Sequence, residues 1–229
     1  MDGLGAAPAE KGNAVTMANP VNLTKLWDAF PHTYLQASGT AVGLPENVMG
    51  NSEVGHMNIG SGKVILQNLP KINKAIHTGA FFANTSLNFA LQFAQNGRSN
   101  VHIMGCFSDG GVHAHIDHFI AVLRFFAENR LKTNLYFHCF TDGRDTGPKD
   151  SIKFFELLSQ EIEKYQVGHI ATICGRALAM DRNKKWDRIS KAYALLTEGK
   201  GGVFRTGVSP ICKTVKIKIS FQTILSKKS

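Results

Sequence analysis

The residue best suited to chemistry is Ser52, which lies in a glycine-rich stretch between Gly43 and Gly62. Asn51 and Ser52 are residue types that begin helices, so the sequence predicts a turn that leads into a helix. The N-terminus of a helix presents unpaired N–H groups and a partial positive charge, which suits a phosphate or an alkoxide. Because a serine hydroxyl is a weak nucleophile, a base or a metal ion has to activate it. Taken alone, the stretch fits an ordinary capping loop better than a catalytic one.

A second group of reactive side chains follows three predicted strands, at 101–107, 135–140 and 169–174. Each strand precedes a helix that is predicted from its apolar spacing, at 116–129, 151–165 and 186–198. This alternation is typical of a parallel sheet with helical crossovers, in which ligands bind beyond the carboxyl ends of the strands. The loops at those ends contain residues that suit an anion, namely His113, Arg144, Asp145, Arg176 and Arg182.

These residue types predict a phosphate or carboxylate ligand at that edge of the sheet. An arginine fork binds either group through two parallel hydrogen bonds. Asp145 could orient Arg144 or accept a proton, and His113 could carry a proton near neutral pH or donate a hydrogen bond to a phosphate.

The histidines His113, His115 and His118 also fit a zinc site, because they lie within six residues. However, His118 is predicted on the following helix, and only Asp109 and Asp117 accompany them as carboxylates. A metal ion at these histidines is therefore the less favoured interpretation.

The rest of the chain contributes mainly structure. Further helices are predicted at 19–30, in the second half of 64–76, and at 84–95, and an edge strand is predicted at 213–219. Of the four cysteines, the first three lie at or near the ends of apolar runs and are predicted to be buried, reduced thiols. No apolar run is long enough to cross a bilayer, and the N-terminus lacks the layout of a secretory signal, which indicates a cytoplasmic protein.

The net charge of +9 is unevenly distributed. Seven of the 26 basic residues, and no acidic residue, lie from Lys200 onward, so residues 1–199 carry 19 basic against 17 acidic side chains. A general nucleic-acid-binding face is therefore not supported, and a basic tail that binds nucleic acid or an anionic surface is a minor alternative.

With these residues assembled, the sequence resembles the cofactor-independent phosphoglycerate mutases of the alkaline phosphatase superfamily. The resemblance covers residues 1–199 and rests on five stretches: MDGLG, GLPENVMGNSEVGHMNIGSGKV, SDGGVHAHIDHF, TDGRDTGPKDS and GRALAMDRNKKWDRISKAY. It implies interconversion of 3-phosphoglycerate and 2-phosphoglycerate, without 2,3-bisphosphoglycerate, through a phosphoserine intermediate. It also implies two divalent ions, Mn²⁺ in the first place and Mg²⁺ or Co²⁺ as alternatives.

The resemblance assigns roles to individual residues. Ser52 matches the nucleophile and a metal ligand, and Asp2 matches a metal-binding aspartate. The residues that match substrate-binding positions are His113, Arg144, Asp145, Arg176 and Arg182.

The predicted fold class is α/β, with a parallel-sheet phosphotransferase domain joined to the N-terminal segment of an alkaline-phosphatase-like metal domain. The predicted boundaries are 1–66 for the metal-domain segment, 67–205 for an incomplete phosphotransferase domain and 206–229 for a divergent basic tail. We expect a truncated form that is a monomer, with a small-molecule substrate and with neither a nucleic acid nor a membrane as partner.

Two alternatives remain beside this interpretation. One is a non-catalytic paralogue that binds phosphoglycerate or a partner protein and needs no metal ions. The other is a different member of the alkaline phosphatase superfamily, such as a phosphatase or a phosphopentomutase, although the SDGGVHAH and DGRDT stretches argue against it.

The 229-residue chain alone is expected to lack mutase activity, because Asp2 and Ser52 are too few ligands to form a metal site. A coupled assay with Mn²⁺ and 3-phosphoglycerate measures this. Turnover that disappears in Ser52→Ala would contradict the expectation.

Overall fold

The computed structural model describes residues 2–8 and 11–202. The chain divides into two compact units, Met1–Lys71 and Ile72–Ser229. The edge strand predicted at 213–219 and the basic tail predicted at 206–229 lie outside the described residues.

The first unit consists of short helices joined by long loops. Its helices are α1 (Ala14–Met17), α2 (Val21–Ala29), α3 (Ser52–Ser61) and the first part of α4 (Asn68–Thr78), with one 3₁₀ turn at Gly39–Val42. Helix α2 begins two residues later than predicted, because Asn19 has a positive φ of 43° and Pro20 precedes the first helical residue. Helix α1 was not predicted, since four residues are too few to show a helical period.

The second unit is built on a parallel sheet. Its strands β1 (Val101–Phe107), β2 (Leu135–Thr141) and β3 (His169–Gly175) lie in the order β1-β2-β3, which confirms the predicted α/β class with its parallel sheet. Phe107 pairs with Thr141, and Thr141 pairs with Gly175. The chain therefore leaves all three strands at the same level of the same edge.

Helices cover both faces of this sheet. Helices α5 (Thr85–Gly97), α6 (Ile116–Glu128) and α7 (Ser151–Tyr165) pack on one face in the main hydrophobic core. The crossovers α6 and α7 share a face, as right-handed connections between consecutive neighbouring strands require. On the other face, α8 (Arg176–Ala179) and α9 (Trp186–Glu198) pack against β2 and β3 in a smaller cluster.

Phe107 lies at the centre of the main core and is fully buried. Its ring centroid lies 5.3 Å from that of Phe119, 6.2 Å from that of Phe154 and 4.7 Å from that of Phe155. These contacts join the end of β1 to α6 and α7, directly beneath the edge where the three strands end.

Two further observations bear on the sequence predictions. Cys106, Cys139 and Cys174 are free and buried, as predicted. Among the described residues, no helix is long and apolar enough to cross a membrane.

Replacing Phe107 with alanine is expected to lower the free energy of unfolding by about 3–5 kcal/mol, because a buried aromatic ring is lost and a cavity remains. Urea unfolding of the wild type and the variant measures this. Phe89→Ala is the matched control: Phe89 is 68% exposed on α5, so its loss is expected to change the stability by less than about 1 kcal/mol. Equal losses in the two variants would contradict the assignment of the core.

Candidate functional site

The glycine-rich stretch of the first unit folds as predicted, with a turn that leads into a helix. Asn51 is the N-cap of α3, and its side-chain oxygen accepts a hydrogen bond from the Val54 N–H at 3.0 Å. Ser52 is the first residue of the helix. Its hydroxyl is therefore held at a helix N-terminus, where a negative charge is stabilised.

Two glycines let the backbone approach itself closely around this turn. A side chain at Gly43, whose φ is 79°, would overlap the Ile65 carbonyl, and a side chain at Gly50 would overlap the Ala37 carbonyl. Asn58 completes the fold of the loop, because its amide donates to the carbonyls of Val42 and Val54 and its oxygen accepts from the Ile65 N–H. That set of close contacts fixes the direction of α3.

Asp2 and Ser52 lie together, although 49 residues separate them in the sequence. His56 Nδ1 lies 3.2 Å from Asp2 Oδ2, 3.1 Å from Ser52 Oγ and 2.8 Å from the Ser52 carbonyl oxygen. Gly55 provides the space for the aspartate, since a Cβ at this position would overlap the Asp2 carboxylate. Sequence reasoning did not single out His56, although its spacing of four residues from Ser52 places both on one side of the helix.

The geometry of His56 excludes a protease-like triad. In such a triad the serine and the aspartate contact opposite nitrogens of the imidazole ring, whereas here both contact Nδ1. Because the nearest partner of Nδ1 is a carbonyl oxygen, which only accepts, Nδ1 carries a proton and donates it. His56 therefore cannot take the proton of Ser52 through this nitrogen.

A divalent metal ion fits this place in kind. Asp2 and Ser52 offer a carboxylate and a hydroxyl oxygen, ligands that Mg²⁺ and Mn²⁺ accept. Within residues 2–8 and 11–202, however, no group of three His, Cys, Asp or Glu side chains could hold a metal ion. The described residues thus supply two ligands of the right type but do not complete a site.

The second cluster lies at the carboxyl edge of the sheet, and Arg176 is at its centre. Arg176 Nη1 donates to Asp142 Oδ1 at 2.8 Å and also to Asp145 Oδ2, while Nη2 lies 2.9 Å from His113 Nε2. The predicted residues His113, Asp145 and Arg176 are therefore in contact. Because arginine can only donate, Nε2 of His113 accepts, and the proton of the neutral ring lies on Nδ1.

Asp142, which sequence reasoning did not single out, holds this cluster together. Its Oδ1 also accepts hydrogen bonds from the N–H groups of Arg144 and Asp145, both at 3.0 Å. Burial by itself raises the pKa of the Asp142 carboxyl, but hydrogen bonds from Asp145, Ser108, Arg144 and Arg176 outweigh it and hold the pKa well below its usual range. The carboxylate is therefore ionised throughout the pH range in which proteins are usually studied.

The two other predicted arginines are arranged differently. Arg144 joins the cluster through its backbone, and Arg182 contacts none of its members in the described part of the chain. Both side chains are exposed and form no ion pair with any described residue. They are therefore available to an anion from solution, whereas Arg176 is already paired.

The zinc interpretation of the three histidines is wrong. Among the described residues, no group of three His, Cys, Asp or Glu side chains could hold a metal ion. Each histidine has a different partner instead. His113 accepts from Arg176, the side chain of His115 caps α6 by accepting from the Asp117 N–H, and His118 Nε2 lies 2.7 Å from Asn73 Oδ1.

Comparison with known proteins gives the class of this fold and site. Residues 72–218 match the sequence profile of the family described as "BPG-independent PGAM N-terminus", where BPG is 2,3-bisphosphoglycerate and PGAM is phosphoglycerate mutase. The match therefore runs past Gly199, the end of the region over which the sequence motifs indicated the resemblance. The profile covers more than half of the chain, so the protein belongs to the 2,3-bisphosphoglycerate-independent phosphoglycerate mutase family.

Individual relatives agree with this family. The chain is 45% identical over 225 residues to the 2,3-bisphosphoglycerate-independent phosphoglycerate mutase of Clostridium tetani, covering 98% of this chain and 44% of the relative. It is 45% identical over 204 residues to the enzyme of the same description in Listeria monocytogenes, covering 89% and 40%. A crystal structure of Leishmania mexicana phosphoglycerate mutase at low cobalt concentration superimposes with a TM-score of 0.70 at 27% identity, covering 98% of this chain and 45% of that one. The chain thus spans less than half the length of these relatives.

Replacing Gly55 with alanine is expected to displace the Asp2 carboxylate from α3, because the new Cβ would occupy its place. Nuclear Overhauser contacts between the Asp2 β-protons and the His56 ring measure this, and they are expected to disappear. Gly60→Ala is the matched control on the same helix, since a Cβ there meets nothing within 4 Å. Contacts that persist in Gly55→Ala would contradict the placement of the Asp2 carboxylate against Gly55.

Replacing Asp142 with asparagine is expected to lower the free energy of unfolding at pH 7 by about 2 kcal/mol, since a charged hydrogen-bond acceptor is lost. Because folding lowers the pKa of Asp142, its stabilisation is fully present above the usual aspartate pKa of about 4 and is lost as the pH falls further. The difference between wild type and variant is therefore expected to narrow below about pH 4.

Urea unfolding at a series of pH values measures this difference. Asp109→Asn is the control, because Asp109 is 40% exposed and Lys153 is its one ion-pair partner among the described residues. A difference between wild type and Asp142→Asn that stays constant from neutral to acid pH would contradict the assignment.

Proposed function

We propose that the protein serves the reaction of a 2,3-bisphosphoglycerate-independent phosphoglycerate mutase, which interconverts 3-phosphoglycerate and 2-phosphoglycerate. The observation that carries the proposal is the edge of the parallel sheet, where His113, Asp145 and Arg176 are in contact and the Arg144 side chain forms no ion pair with any described residue. A phosphorylated hydroxy acid has two anionic groups and a hydroxyl group, and such a cluster matches these with arginine, histidine and aspartate.

In this proposal Ser52 is the group that accepts the phosphate. Its hydroxyl loses its proton, its oxygen forms a bond to phosphorus, and the bond from phosphorus to the glycerate oxygen breaks while that oxygen gains a proton. The reverse transfer then places the phosphate on the other hydroxyl of the glycerate. The helix N-terminus at Ser52 favours the negative charge that develops there.

Asp2 and Ser52 are proposed to be two of the ligands of the divalent ions. When bound, such ions favour the alkoxide of Ser52 and neutralise the phosphoryl oxygens. The proposed ions are two Mn²⁺, with Mg²⁺ or Co²⁺ as alternatives, and cobalt was used with the L. mexicana relative. The contact of Asp2 and Ser52 with one histidine nitrogen supports their action at one place.

At the other cluster, His113, Arg144, Asp145, Arg176 and Arg182 are proposed to bind the substrate. The exposed Arg144 and Arg182 can bind the phosphate or the carboxylate directly, because neither is paired with another described residue. Asp145 and His113 can bind the glycerate hydroxyl groups. The partners of the protein are then small molecules alone, and the proposed state is a cytoplasmic monomer that binds neither nucleic acid nor membranes.

Calorimetric titration of the 229-residue chain with 3-phosphoglycerate tests the substrate site. Arg144→Ala is expected to weaken the binding at least about tenfold, because a charge-assisted pair is lost. Arg124→Ala is the matched control, since Arg124 pairs with Glu128 on the surface of α6. Failure of the wild type to bind, or equal weakening in both variants, would contradict the proposal.

A second candidate is a non-catalytic protein that binds phosphoglycerate. It is favoured by one observation, that the described residues form no complete metal site. The same titration in the presence of Mn²⁺ and of a chelator separates the two. Arg144-dependent binding that no metal ion affects, together with the absence of phosphoserine at Ser52 after incubation with 3-phosphoglycerate and Mn²⁺, would favour this candidate.

A further inference from the structure

Three residues that immediately follow the strands form one connected group. The three strands end in register, so the first residue beyond each lies at the same level of the sheet edge. These residues are Ser108, Asp142 and Arg176. Ser108 and Arg176, beyond the two outer strands, both hydrogen-bond to Asp142, beyond the central strand.

Asp142 is the least accessible member of the charged cluster. Its side chain is 2% exposed, compared with 14% for Arg176 and 21% for Asp145. Ser108, itself buried, hydrogen-bonds to Asp142 and accepts the Gly110 N–H at 2.9 Å, so the loops after β1 and β2 are tied together. A buried carboxylate with donors on both sides cannot turn towards a ligand.

Asp142 determines the direction of Arg176 and, through it, of His113. The guanidinium group is planar, so fixing Nη1 against Asp142 also fixes where Nη2 points, which is towards His113 Nε2. The same carboxylate binds the N–H groups of Arg144 and Asp145 and so shapes the turn that carries both side chains. One buried group thereby orients four predicted substrate-binding residues.

We propose that Asp142 is a positioning residue of the anion site, which orients Arg176, His113 and the turn at residues 144–145 without touching the substrate. This inference rests on the proposed function, because it assumes that these residues bind phosphoglycerate. It adds Asp142 to the site as a residue that orients the others.

Positioning can be distinguished from a simple charge effect. Removing a negative charge favours every anion, so a charge effect alone predicts tighter binding of both inorganic phosphate and 3-phosphoglycerate in Asp142→Asn. Loss of positioning penalises the larger ligand, which must meet several groups at once, more than it penalises phosphate. The selectivity between the two ligands therefore reports on positioning.

The experiment measures the dissociation constants of both ligands for the wild-type chain, Asp142→Asn and Asp109→Asn. We expect Asp142→Asn to lower the selectivity for 3-phosphoglycerate over phosphate at least about tenfold and the control to leave it unchanged. Unchanged selectivity in a folded Asp142→Asn would overturn the proposal. If that variant fails to fold, Ser108→Ala replaces it, which removes one donor to Asp142 and is expected to give a smaller fall of the same sign.

A second measurement needs no ligand. The ¹⁵N shifts of the His113 ring report whether Nε2 accepts a hydrogen bond from Arg176, and Asp142→Asn is expected to move them towards the values of a free neutral imidazole. If the wild type binds no 3-phosphoglycerate, the proposed function fails, and these shifts alone decide whether Asp142 orients the pair. Ring shifts identical to those of the wild type would then overturn the proposal.

Discussion

The parallel register of the three strands is the constraint on which the second unit depends. Because Phe107, Thr141 and Gly175 lie side by side, the loops that follow them must begin at a common level. Ser108, Asp142 and Arg176, each 34 positions from the next, thus become neighbours through strand pairing alone. The core beneath, with four phenylalanine rings around the end of β1, keeps this level fixed.

The largely buried charges at that edge are paired with one another without any ligand. Arg176 faces two carboxylates, so this group of three charges carries a net charge of about −1 and does not attract anions by itself. If the site binds an anion as proposed, the attraction comes from Arg144 and Arg182, which are exposed and form no ion pair with any described residue. In the proposed function, the paired Arg176 and the two exposed arginines would therefore have different tasks: Arg176 would give the site its shape, and Arg144 and Arg182 would give it affinity.

Much of this arrangement could be predicted from the sequence, because short apolar runs mark the strands and a helical spacing of apolar residues marks the long helices. The bounds of β1, α7 and α9 were predicted to the residue, and His113, Asp145 and Arg176 were correctly placed at one sheet edge. The short helices could not be predicted, since four residues show no period. Helix α8 begins at Arg176 itself, within what the sequence presents as a loop.

Asp142 and His56 were missed for different reasons. Asp142 has the same side chain as Asp145 three residues later. Only its burial shows that it holds the cluster together, whereas Asp145 is more exposed to solvent. The sequence did contain a signal for the burial of Asp142, because this residue directly follows the central strand, which is paired on both sides. His56 lies within a recognised motif, but its contact with Asp2 spans 54 residues and has no local signature.

The buried cysteines make local unfolding of the second unit measurable through the reactivity of their thiols. Burial raises the pKa of the thiols of Cys106, to about 11, and of Cys174. A thiol reagent attacks the thiolate, so these groups react only when the sheet opens and exposes them to solvent. Because Cys106, Cys139 and Cys174 lie on β1, β2 and β3, one in each strand, their rates of alkylation would follow the opening of the three strands separately. The alkylation rates of these three thiols thus report how often each strand beneath the site unfolds locally.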